Sequence, residues 1–236
     1  MKQMKRLTCL VVMGLAILLA LGGSASANVI VLDFEGINAT YPSGYAFIQD
    51  FYNGGISSDG TSGPNYGIGF SDNAQAICLN TPGVTCSNTS RGGQGNPASD
   101  KGALFFLGGN ETYMNVAAGF DTGFAFNYTA INVPGSVSVY DGLNGTGNLL
   151  ATLDLPTTPS NCDPVYGAGF CPFFPIGVAF SGIAESVSFA GVENQIVFDD
   201  VTFGAVAPPP VPEPATLLLL GSGLVGLAGL GWRRSR

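Results

Sequence analysis

Four carboxylates flank the central part of this chain. Asp33 and Glu35 lie in Val31-Leu-Asp-Phe-Glu-Gly, and Asp199 and Asp200 lie in Ile196-Val-Phe-Asp-Asp-Val-Thr-Phe. Neither segment carries a lysine or arginine, so acids gathered there repel one another until a cation or a set of amides compensates them. One expectation is a structural Ca²⁺ held by Asp33, Glu35, Asp199 and Asp200. The other is carboxylates hydrogen-bonded to backbone amides at strand ends. The chain has no histidine. That removes the usual general base, the Ser-His and Cys-His nucleophile pairs and the commonest zinc ligand. Glycoside chemistry by paired carboxylates stays open, but spacing singles out no pair, so no catalytic residue is assigned. Aromatic rings that could stack on sugar faces form a second set of candidates: Tyr45, Tyr52 and Tyr66, with Tyr41 and Phe51 beside them and Gln49, Asn53 and Asn65 interleaved. Gly92-Gly-Gln-Gly95 is not a phosphate loop, because no lysine follows and no strand-to-helix pattern surrounds it.

The elements that must position these residues read as strands. Ile30, Leu32 and Phe34 alternate with Val31 and Asp33, and Phe124, Phe126 and Tyr128 share a face. Val137 and Val139 alternate with serines, and period-2 patterns recur at Leu149–Leu155, at Val187 and Phe189, and at Val197, Val201 and Phe203. Such alternation predicts half-buried antiparallel strands. Asp141-Gly142 and Asn144-Gly145 sit between two of these runs, which predicts a hairpin over Ser136–Leu155 with a long turn. The whole predicts an all-β fold, a two-sheet antiparallel sandwich of jelly-roll type with roughly 9–12 strands. Two Gly/Ser/Asn-rich loops interrupt it, at 53–65 and 80–101.

The ends differ from the middle. Lys2, Lys5 and Arg6 precede an apolar stretch from Leu7 to Leu21, and Ala25-Ser-Ala27 supplies the small residues that signal peptidase requires. Residues 1–27 therefore read as a signal peptide, cleaved after Ala27, and Cys9 leaves with it. At the other end Val211-Pro212-Glu213-Pro214 precedes an uncharged run from Ala215 to Gly231, then Trp232, Arg233, Arg234 and Arg236. Seventeen apolar residues are the lower limit for crossing a hydrocarbon core of ~30 Å. The arginines hold their end on the cytoplasmic side. Residues 28–204 are then the sandwich, 205–211 a proline-rich linker and 212–236 the hydrophobic tail, a membrane-crossing helix.

The exported part holds 15 acidic and 2 basic residues, a formal net charge of −13, which disfavours nucleic acid and anionic lipid as partners. Its four cysteines, Cys78, Cys86, Cys162 and Cys171, should pair in an oxidising compartment. Of three possible connectivities, Cys78–Cys86 with Cys162–Cys171 fits best, since each pair brackets a short turn-rich loop.

The tail resembles that of the PEP-CTERM family of exported bacterial proteins: Val211–Pro214, a Leu/Gly-rich span and a basic end are all present. The resemblance implies a sorting signal, cut near Pro-Glu-Pro by a membrane transpeptidase of the exosortase type. It implies export, transient membrane anchoring, and a final place at the cell surface or in extracellular polysaccharide. The first and last strands of the cargo also resemble carbohydrate-binding sandwiches of the CBM4/9/22 and galactose-binding-like kind. By position, Glu35, Asp199 and Asp200 match residues that can hold a structural calcium there. The expected function is thus a non-catalytic surface or matrix protein that binds glycan. A carboxylate-dependent carbohydrate-active enzyme is the alternative, and a permanently anchored adhesin, its tail intact, a third.

Overall fold

Alternating apolar side chains have one face to bury, and two sheets that close on each other bury both. The computed structural model describes residues 29–87, 99–166 and 171–208. The predicted signal peptide with Ala25 and Ala27 lies outside the described residues. So do the sorting residues Val211, Pro212, Glu213, Pro214, Arg233 and Arg234.

Among the described residues, twelve strands form two antiparallel sheets. They are β1 (Ile30–Leu32), β2 (Tyr45–Phe47), β3 (Ile68–Phe70), β4 (Gln75–Cys78), β5 (Gly102–Phe105) and β6 (Glu111–Phe120), followed by β7 (Gly123–Thr129), β8 (Gly135–Tyr140), β9 (Leu149–Leu155), β10 (Phe174–Ala179), β11 (Ala184–Ala190) and β12 (Val197–Phe203). The larger sheet has the order β10-β7-β12-β5-β4-β2, and β1 also pairs with β12. The smaller has the order β3-β6-β11-β8-β9. The predicted hairpin is β8–β9, with Gly135 opposite Leu155.

Phenylalanines join the sheets. Phe189 of β11 meets Phe198 of β12 at 4.9 Å between ring centroids, and Phe124 and Phe126 of β7 at 5.9 and 6.1 Å. Edge-to-face rings of this kind contribute about 0.5–1.5 kcal/mol per pair beyond the area they bury.

The expectation of half-buried strands fails in the four central strands of the larger sheet. Every residue of β4, β5, β7 and β12 is buried. Its outer face carries a second apolar cluster of Ile77, Leu79, Ala103, Phe105, Phe173 and Val197. Phe173 comes from the segment between β9 and β10, which packs against that face. Thr158 exchanges backbone and hydroxyl hydrogen bonds with Ala130, and Asn80 donates from Nδ2 to the Tyr166 carbonyl. The loop at 53–65 is also ordered, folded back on itself by the Asn53–Asn65 and Ile56–Ser62 bridges.

Both expected disulfides are present, Cys78–Cys86 and Cys162–Cys171, with Cα separations of 6.0 and 4.9 Å. Each closes a loop of under ten residues, for which chain entropy gives about 2–3 kcal/mol. Replacing either pair with alanines should lower the urea-unfolding free energy by roughly that amount. The Cys162–Cys171 variant should also expose the second cluster, read as increased binding of a hydrophobic dye. An unchanged unfolding curve would mean that the loops are held without their bridges.

Candidate functional site

The first and last strands meet in register, Ile30 opposite Phe203 and Leu32 opposite Val201. β12 serves two partners along one edge, β5 through Phe198 and β1 from Val201 onward. The change of partner coincides with an irregularity between Asp199 and Thr202, where Asp200 adopts a positive φ of 51°. A bulge of this kind redirects side chains and bends the strand. Just past β1, Phe34 also has a positive φ, 55°, which turns Glu35 toward the start of β5. The four acids thus gather where β1, β5 and β12 converge.

Each acid has protein donors there. Glu35 Oε1 accepts the backbone N–H groups of Asp100, Lys101 and Gly102 at 3.0, 2.7 and 3.2 Å. Gly102 is required at this approach, since a Cβ on it would lie 2.1 Å from the Phe34 carbonyl oxygen. Asp33 Oδ1 accepts the Glu35 N–H. Asp200 Oδ2 accepts from Asn127 Nδ2 at 2.9 Å. Asp199 is wholly buried, and its Oδ1 accepts the Asp200 N–H at 2.8 Å.

Ser99 Oγ lies 3.3 Å from both Asp199 oxygens and 2.9 Å from the Asp33 carbonyl. A hydroxyl carries one proton, and a carbonyl carries none. Both contacts are hydrogen bonds when Ser99 donates to Asp33 and a protonated Asp199 donates to Ser99. Burial pushes the Asp199 carboxyl well above the usual carboxylate range, and the charge of Asp200 adds to the effect. Burial also raises Glu35, although the Lys101 and Gly102 amides oppose it. Backbone amides, the Asn127 side-chain amide and the Ser99 hydroxyl are the groups that meet these carboxylates. Among the described residues no three Asp, Glu or Cys side chains are grouped so as to hold a metal ion.

Above this knot is a cleft of about 400 Å³, with Glu35, Asn38, Tyr41, Ile77 and Lys101 among the residues lining it. Asn38 Nδ2 donates to the Ser43 and Gly44 carbonyls and shapes the loop that carries Tyr41. The Tyr41 hydroxyl is tied to the Leu79 carbonyl and Thr81 Oγ1, which fixes the ring. Lys101 Nζ stands 5.9 Å from that ring's centroid. It is the one basic side chain among the described residues.

The expected sugar platforms separate. Tyr45 and Tyr66 are exposed, but neither lines the cleft. Tyr52 corrects the expectation: it is 2% exposed and belongs to the core. Its ring stacks under Tyr66 at 6.2 Å and its hydroxyl oxygen accepts the Phe34 N–H, so it offers no face to a ligand. Sequence reasoning missed Ser99, Lys101 and Asn127. The turn-like Ala98-Ser-Asp-Lys-Gly102 run before a strand is a signal for an amide cradle, but its partner is more than sixty positions away.

An all-β sandwich with paired end strands and a polar cleft defines the class of the cargo; its tail is more specific. Residues 210–235 match the PEP-CTERM protein-sorting motif, the mark of an exported protein handed to an exosortase-type processing enzyme. Among the described residues no helix is long and apolar enough to cross a membrane, and the apolar run at 215–231 lies outside them. No curated protein sequence matches the chain. Similar solved structures include CsCBM6-3 from Clostridium stercorarium in complex with cellobiose. It is 18% identical with a TM-score of 0.34, over 56% of this chain and 82% of that one. Another is a glycoside hydrolase family 43 arabinoxylan arabinofuranohydrolase from Bacillus subtilis in complex with cellotetraose. It is 19% identical with a TM-score of 0.34, over 54% of this chain but only 24% of that one.

Two measurements check the acidic knot. A raised folded-state pKa stabilises the fold at low pH, and that contribution is lost as pH climbs from the ordinary value of 3.8 toward the folded value. Asp199→Asn should therefore gain stability over the parent at pH 8 by roughly 1–3 kcal/mol, and the difference should shrink toward pH 4. A constant difference across that range would place the proton elsewhere. Independently, melting curves with excess Ca²⁺ and with chelator should coincide. A fall in melting temperature on chelation would instead make the carboxylates cation ligands.

Proposed function

We propose that this protein is a non-catalytic, exported surface or matrix module that holds glycan in the Tyr41 cleft after its tail has been processed. The sorting motif at 210–235 carries the first half of this reading. The cleft supports the second half. It presents a fixed aromatic ring, a lysine ammonium and a carboxylate side by side, which suits a ligand that offers hydroxyl groups and an apolar ring face. Tyr45 and Tyr66 are additional exposed rings outside the cleft.

The carboxylate-enzyme alternative has one observation in its favour, the raised pKa of Glu35. Acid–base cleavage of a glycosidic bond needs two carboxylates facing across the substrate. Among the described residues Glu35 is the only acid lining the cleft, and Asp199 is fully buried. The absence of histidine leaves no replacement base of the usual kind.

The test is affinity electrophoresis of the mature protein in gels containing the host's extracellular polysaccharide. The parent should be retarded. Tyr41→Ala should weaken the interaction about tenfold, the factor that ~1.4 kcal/mol of lost stacking corresponds to. Equal mobility with and without polysaccharide would sink the glycan half of the reading, and sustained release of reducing ends would turn it toward the enzyme. Mass spectrometry of the mature protein should find ends at Asn28 and near Pro212.

A further inference from the structure

The two ends of the sandwich emerge together. Because Ile30 pairs with Phe203, the residues before β1 and after β12 leave at one end of the larger sheet. The exit strand does not dangle there. The Gly204 N–H donates to the Gly123 carbonyl, and the next residues lie across β7 and β10. A Cβ on Gly177 would sit 2.2 Å from the Val206 carbonyl oxygen, so only glycine admits this approach. Around the exit is a shallow depression of about 690 Å³, lined chiefly by Val29, Val31, Ala205, Val206, Ala207 and Pro208. Val29 and Val206 are about half exposed and share one apolar depression, so their exposed surface is contiguous rather than scattered.

What covers this face follows from the length of chain beyond it. From Pro208 to Pro212 there are four residues, whose reach in an extended proline-rich conformation is about 12 Å. An enzyme that takes Pro212-Glu-Pro into its active site must bring its own surface that close to the sandwich. We infer that the apolar exit face is the docking surface for the membrane-bound processing enzyme that reads the motif. Cargo and tail are thereby recognised together, the face meeting an apolar surface that borders the enzyme's active site. An anionic lipid surface fits less well, because the face has no basic side chain; the one among the described residues, Lys101, lies at the cleft.

This inference rests on the reading that the tail is cut near Pro-Glu-Pro. It is tested by following tail removal from the full-length chain in its exporting host by pulse–chase. Val206→Asp and, separately, Ala207→Asp place a charge on exposed positions of the face. Each should slow processing about tenfold, with secreted amount and melting temperature unchanged. Inserting eight Gly/Ser residues between Pro208 and Pro209 should narrow the Val206→Asp deficit to within about twofold, since the motif then reaches the enzyme without contact at the face. Processing of both charge variants at the parental rate overturns the docking surface. So does a loss of self-association by Val206→Asp in gel filtration, or of pelleting with anionic vesicles, since the face would then belong to a second copy or to lipid. A Pro212→Ala/Glu213→Ala variant separates the two failures. If it too is processed normally, the sorting reading has failed, whereas its arrest beside normal charge variants defeats the docking surface alone.

Discussion

One buried carboxyl group constrains the rest of this structure. Asp199 lies wholly buried where the last strand changes partners. Left ionised, it would carry a desolvation penalty of several kcal/mol. Burial and the neighbouring Asp200 push it toward the protonated form, and Ser99 Oγ bridges its carboxyl to the Asp33 carbonyl. A chain of hydrogen bonds then runs from β12 through the segment before β5 to the end of β1. Glu35 takes the three amides of residues 100–102 on one oxygen. The first and last strands are joined by polar contacts that only one register satisfies.

That closure orients the molecule. β1 is three residues long, about 10 Å at the rise of an antiparallel strand, and its two ends face different worlds. At one end Ile30 and Phe203 mark the exit of both termini. At the other are Glu35, the knot and the Tyr41 cleft. The pairing also requires the last strand, so it forms only when the whole cargo has been translocated, a long-range contact that local structure cannot replace.

Much of the fold was legible, for reasons that particular residues make plain. Val137 and Val139 alternate with serines because β8 has one wet face, and the Asp-Gly and Asn-Gly pairs after it can only be a turn. The disulfides were legible because each cysteine pair brackets a short turn-rich loop, which favours local pairing over the other two connectivities. The period-2 rule misled in β7 and β12, where both faces are covered. The covering segment between β9 and β10 has no pattern of its own, and its attachment by Thr158, Tyr166 and Phe173 is visible only in three dimensions. In the site, the acids could be named from sequence but their partners could not. Ser99 and Lys101 are ordinary loop residues until Asp199 meets the first and Glu35 turns toward the second, and Tyr52 looks like its neighbours until Phe34 donates to its hydroxyl oxygen.

The distribution of charge bears on how such a cargo would hold a glycan. A formal charge of −13 on the exported part repels anionic polymers at long range, by an amount that falls as salt screens it. Attraction must then be short-ranged and tolerant of acid surroundings, which favours stacking and hydrogen bonds over ion pairing. The cleft has parts of that character: its lysine ammonium stands 5.9 Å from the Tyr41 ring centroid, and the ring is held by its hydroxyl. A neutral sugar suffers least from the surrounding acids and gains most from the fixed ring. An anionic sugar meets one ammonium against an acidic surface, and the long-range repulsion outweighs it at low ionic strength.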